Sequence, residues 1–131
     1  MNEPEPDNGD DREEQAGAGG GDIFPEVMPL FTPGQLVRHQ RYGYRGVIVD
    51  FDVRCLAPDS WYQRNLTQPD RNQPWYHVLV DGSAAVTYAA QSNLVPDHEQ
   101  QPVHHPLVSR FFEAFDGRKY ERNDTPWPGH D

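Results

Sequence analysis

Between Phe31 and Asp52 the chain reads FTPGQLVRHQRYGYRGVIVDFD, and this stretch restricts the fold more than any other. Val37 and His39 follow each other at strand spacing, and so do Val47, Val49 and Phe51, which predicts two strands. Between them Arg41, Tyr42, Gly43, Tyr44, Arg45 and Gly46 put cationic and aromatic groups on a bend. The glycines supply the positive φ that such bends require. A stiff sheet holding up a polar, aromatic loop suits binding better than chemistry.

The same grammar continues downstream. Pro74 leads into a strand over Trp75 to Val80, Asp81-Gly82 is a hairpin signal, and the return runs from Ala85 to Ala90. Ser92 to Val95 is short enough to add one closing strand. Between the second and third strands, residues 53 to 73 show no clear period, and a loop of that length is functional or mobile. At 131 residues the chain has room for one domain, and with 35% apolar residues its core is small. The expected fold class is mainly β: a small closed or nearly closed barrel over residues 31 to 96, because closure removes exposed strand edges. Leu107, Val108, Phe111, Phe112 and Phe115 then recur at spacings of three and four. They predict an amphipathic helix from Pro106 to Asp116, capped by Gly117, inside a C-terminal region of residues 97 to 131 that ends in an extended tail.

Charge is unevenly placed. Residues 1 to 26 hold nine acidic side chains against Arg12, a net of -8, out of -10 for the whole chain. Residues 31 to 98 balance six acids against six arginines. The acidic, glycine-rich residues 1 to 22 bury too little apolar surface to offset their ordering entropy, so a disordered arm is expected. Residues 23 to 30, with Pro25 and Pro29 among apolar side chains, are expected to lie extended on the domain. The single cysteine, Cys55, excludes an internal disulfide framework. With no apolar leader and no membrane-spanning run, the expected setting is a reducing cytoplasm and no membrane partner.

The ordered blocks resemble the hemimethylated DNA-binding domain family, the YccV-like or HspQ-like domain. The matching residues are Gly34, Val37-Arg38-His39, Tyr44-Arg45-Gly46-Val47-Ile48, Asp52, Asn72 to Val80, Thr87-Tyr88-Ala89-Ala90 and Asn93-Leu94. The resemblance implies a small SH3-like barrel. It also implies a binder of hemimethylated DNA or a heat-shock factor in regulated proteolysis, and a related domain occurs in some F-box proteins. The acidic arm, the long loop and the expected C-terminal helix lie outside the compact bacterial pattern.

DNA binding needs cations facing phosphates. The candidates are Arg38, Arg41, Arg45, Arg54, Arg64 and Arg71, interleaved with Tyr42, Tyr44, Trp61, Tyr62, Trp75 and Tyr76 as rings for stacking, although Trp75 and Tyr76 alternate on a strand, so one of them is expected in the core. Arginine and tyrosine on strand faces also serve simply to cover a small barrel. The balanced charge of residues 31 to 98 fits equally a protein-binding adaptor, whose partners would be an ATP-dependent protease or its substrates. Catalysis has little to build on. Cys55 with His39 or His77 lacks any group that would lower the thiol pKa. His104-His105 lack a spaced set completing a zinc site. Asp50 and Asp52 share a strand face, as a carboxylate pair could, and are expected to be solvated or paired to Arg38 or Arg45. The expectation is a non-catalytic binding module with no cofactor and no metal.

Overall fold

The structure, a computed structural model, describes residues 27–128. The expected disordered arm, and residues 23 to 26 of the extended segment, lie outside the described residues. Five antiparallel strands form the main sheet: β1 (Leu36–His39), β2 (Arg45–Asp52), β3 (Trp75–Val80), β4 (Val86–Ala90) and β5 (Leu94–Pro96), in the order β4-β3-β2-β1-β5. All five sit where the alternation predicts. The β3–β4 turn is closed by Val80 N–H donating to Ala85 O at 3.1 Å, with Gly82 at φ +76.

A three-residue 3-10 turn, Gln91–Asn93, joins β4 to β5, the two ends of this order. Four residue steps reach at most about 14 Å, whereas a flat sheet would put its first and fifth strands about 19 Å apart. The sheet therefore curls until its ends approach. It does not close as expected: no ladder joins β4 and β5 among the described residues, because the chain between them is a helical turn that brings the edges near without pairing them.

Both faces of β2 are buried, in two separate clusters. Inside the curl, Phe31, Val37, Ile48, Tyr76, Val78, Ala89 and Leu94 pack together. On the outer face Leu36, Val47, Val49 and Leu79 meet Val103, Phe111, Phe112 and Tyr120. A bulge between Ile48 and Asp50 shifts the register, so that Phe51 and not Asp50 returns to the inner face.

The expected C-terminal helix is corrected by the structure. Only Val108–Phe111 is helical (α2, after α1 at Asp59–Gln63), and the chain then forms a hairpin of β6 (Phe112–Phe115) and β7 (Tyr120–Arg122). Asp116-Gly117 is a turn and not a cap: the Asp116 carboxylate accepts N–H from Arg118 and Lys119, both at 2.8 Å, and Gly117 adopts φ +95. A bulge between Phe112 and Ala114 keeps Phe112 and Phe115 together against Tyr120, with ring centroids at 5.2 and 4.6 Å. Spacing of three on one face is thus produced by a bulged strand, which imitates helical periodicity.

Residues 53 to 73 dock onto the sheet. Trp61 and Tyr62 from α1 pack with Cys55 and Ala57 against Trp75 and Ala90. No helix among the described residues is long and apolar enough to cross a membrane.

Candidate binding groove

His39 ends β1 and organises the bend that follows. Its Nδ1 accepts backbone N–H from Arg41 and Tyr42, each at 3.1 Å. The neutral ring with its proton on Nε2 satisfies that geometry, and burial followed by the Arg41 charge holds its pKa below the usual value. Tyr42 stacks on His39 at 4.7 Å and Tyr44 tilts against it at 5.1 Å. The Tyr44 and Thr87 hydroxyls share a hydrogen bond of 2.7 Å, which ties the bend to β4.

Farther along β4 lies a second group of rings. Tyr88 stacks on His77 at 4.6 Å and tilts against Trp75 at 5.3 Å, while Trp61 meets Trp75 and Tyr88 in T-shaped contacts at 6.0 and 5.6 Å. The Tyr88 hydroxyl donates to Asp52 at 2.7 Å and accepts Leu56 N–H at 3.1 Å. Burial, then the carboxylate, pushes its pKa far above the ordinary phenol value. Trp127 comes to 5.5 Å from His77 and 5.2 Å from Phe111. Its indole Nε1 is enclosed with no hydrogen-bond partner among the described residues.

These two groups wall a groove of about 540 Å³ running along β4. No Asp, Glu, Lys or Arg is among its lining residues. It is an uncharged, ring-rich concavity suited to flat or extended ligands.

The arginines named from the sequence divide into two sets. Arg45 donates to Asp97 at 2.9 Å, to Asp81 at 3.0 Å and to the Gln101 carbonyl at 2.6 Å. Arg38 donates to Gly43 O at 2.8 Å, to Asp97 at 3.3 Å and to Glu99. Arg71 holds Asp59 at 3.0 Å and the Ala57 carbonyl, and lies over the Tyr62 ring at 4.9 Å. These three brace the fold. Arg41, Arg54 and Arg64 are exposed. Arg41 adjoins Tyr42 on the bend, and Arg64, closing α1 with its N–H on Trp61 O at 3.1 Å, adjoins Asn65; Tyr42, Trp61 and Asn65 all line the groove. Arg54 is outside the lining. The fold thus brings Tyr42, Tyr44 and Trp61 to one concavity, while Arg41, Arg54 and Arg64 are exposed outside its lining, Arg41 and Arg64 each next in sequence to a lining residue.

Asp52 is engaged by Tyr88, with His77 Nε2 at 3.5 Å, and so is not the partner of Arg38 or Arg45. Cys55 is buried, and burial raises its thiol pKa. Among the described residues no group of His, Cys, Asp and Glu could hold a metal ion. Thr87, Tyr88 and Trp127 were not foreseen as groove residues. Thr87 and Tyr88 belong to the hairpin return, where period-two alternation could have flagged them, while Trp127 stands in an extended tail without a period.

Residues 29–119 match the family model described as hemimethylated DNA-binding protein YccV like. Curated relatives include F-box only protein 21 of Homo sapiens, Pongo abelii and Mus musculus, each 40% identical over 98 residues. The aligned part covers 71% of this chain and 15% of each relative, so the chain spans a small fraction of the length of these proteins.

Proposed function

The chain belongs to the YccV-like hemimethylated DNA-binding family, and on that premise we propose that it is a non-catalytic DNA-binding module with a modest preference for hemimethylated sites, acting in the cytoplasm without a cofactor. The observation that carries this reading is the ring-lined groove, with exposed Arg41 and Arg64 each next in sequence to a lining residue. Rings supply sequence-tolerant contact to bases, and exposed guanidiniums supply contact to phosphates. With Arg38, Arg45 and Arg71 engaged internally, binding is weak and strongly weakened by salt. Burying one methyl group contributes about 0.8 kcal/mol, so discrimination of a hemimethylated from an unmethylated site is about fourfold. A gel-shift series at rising salt, with the full chain and with residues 1–26 removed, tests it. Retardation at low salt is expected, and its absence for both proteins refutes the proposal.

A second reading is a protein-binding adaptor in stress-related proteolysis, serving an ATP-dependent protease or its substrates. The uncharged groove favours it, since a protein ligand needs no phosphate neutralisation. It predicts an altered degradation rate of a model substrate on adding the protein, and an unchanged rate rejects it.

A further inference from the structure

Resting on the DNA-binding reading, we propose that the groove takes an unpaired, single-stranded segment of DNA, with bases stacked on its rings, and does not take the intact duplex. Duplex DNA turns a phosphate outward every 1.7 Å or so and exposes its bases only through grooves, of which the major one admits a helix or a two-stranded ribbon. The groove here is concave and uncharged, the reverse of that surface. The two α-helices among the described residues, α1 and α2, have five and four residues. A single strand presents what the groove matches: flat apolar faces on one side and phosphates on the other.

The rings are poised for stacking. Tyr42 is 55% exposed and lies parallel to His39 by one face, so a base on its other face extends an existing stack. Trp61, half-buried, is held by T-shaped contacts and not by parallel ones. The charges complete the match. Arg41 and Arg64 are exposed next to lining residues at the bend and after α1. Two acids also stand near that rim: Asp59, which meets Arg71 at 3.0 Å with its side chain 92% exposed, and Asp70, whose carboxylate accepts Asn72 N–H at 2.8 Å. A volume of about 540 Å³ holds roughly one or two nucleotides.

The rival surface for duplex DNA is the β6–β7 hairpin, a two-stranded ribbon with Arg118 and Lys119 exposed at its tip. The test is fluorescence anisotropy of the full chain with one labelled oligonucleotide presented single-stranded, fully paired, or paired around a three-base bulge. Single-stranded and bulged forms are expected to bind at least tenfold more tightly than the paired form. Tyr42→Ala should weaken single-strand binding roughly 5- to 150-fold, the loss of one stacked base, and Tyr42→Phe should restore it. The salt slope for the single strand should correspond to about two phosphates, near −1.4. Equal or tighter duplex binding, lost in Arg118→Ala/Lys119→Ala and kept in Tyr42→Ala, overturns this inference and leaves the DNA-binding reading standing. Failure to bind any of the three, with groove tryptophan fluorescence changed instead by an unfolded protein substrate, overturns both.

Discussion

Arg45 Nε meets Asp97 Oδ2 at 2.9 Å, with 9% of the arginine side chain and 1% of the aspartate side chain exposed. The pair fastens the first residue of β2 to the segment beyond β5. The same guanidinium holds the Gln101 and Pro102 carbonyls, so the chain from 97 to 102 is drawn across the sheet toward Val103 and the outer core.

Removing Arg45 therefore leaves a buried carboxylate with Arg38 alone, at 3.3 Å. Arg45→Met should cost about 3 kcal/mol, the range for breaking a buried pair from one side. Arg45→Met/Asp97→Leu should recover most of that loss. Urea midpoints of the three proteins decide it, and a double variant no more stable than the single one would contradict the pairing.

Much of this architecture is legible in the residues. Val37, Val47 and Val49 alternate as strands do, and Asp81-Gly82 marks its turn, so the five strands fall within a residue or two of their expected places. What pattern could not resolve was set by bulges and by partners distant in sequence. The bulge beside Glu113 gives Phe112 and Phe115 the spacing of a helix, and only pairing with Tyr120–Arg122 shows a strand. Arg38 and Arg41 read alike in the sequence. One is engaged because Asp97 and Glu99 lie about sixty residues away and fold beside it, while the other points outward. The groove itself joins the 39–44 bend, α1, β4 and Trp127, a meeting that no local periodicity encodes.

Gly34 joins the two sheets. It sits at φ +97, its carbonyl accepts Tyr120 N–H at 2.8 Å, and a Cβ built there would lie 2.1 Å from Tyr120 O. Gly34→Ala combines backbone strain of about 1–3 kcal/mol with a clash against main chain that has no rotamer to yield. The expected result is a loss above about 3 kcal/mol, beyond the ordinary range for one substitution, with near-ultraviolet circular dichroism of Tyr120 and its neighbours altered first. Wild-type stability in this variant would mean that the hairpin is not seated as described.

His39 makes the bend sensitive to acid. Its folded pKa lies below the ordinary 6.5 because burial, and then Arg41, disfavour the cation. A depressed folded pKa contributes stability in full above the unfolded value and loses it as pH falls through the folded one. Stability should thus hold above pH 6.5 and decline below it, as protonation at Nδ1 sets a donor against the Arg41 and Tyr42 N–H groups. Thermal melts from pH 7.5 to 5 should show this decline, shallower in His39→Asn. The same slope in both proteins would assign the acid sensitivity elsewhere.

The acidic residues 1 to 26 should weaken DNA binding through their charge. Gln91 holds the incoming chain, accepting Leu30 N–H at 2.8 Å and donating to Met28 O at 3.1 Å. Ala90, just before Gln91, and Asn93, two residues after it, line the groove. Residues 1 to 26, which precede this anchored segment in the sequence, carry a net -8. The nine carboxylates of residues 1 to 26 are expected to compete with phosphates for Arg41 and Arg64. Deleting residues 1–22 should raise DNA affinity about tenfold at 50 mM salt, and the difference should vanish near 0.5 M, where the screening length falls to about 4 Å. The control is an arm with its acids changed to Asn and Gln: it should match the deletion if charge is responsible. An arm that weakens binding equally with and without its acids would instead be acting by bulk, and this electrostatic account would fail.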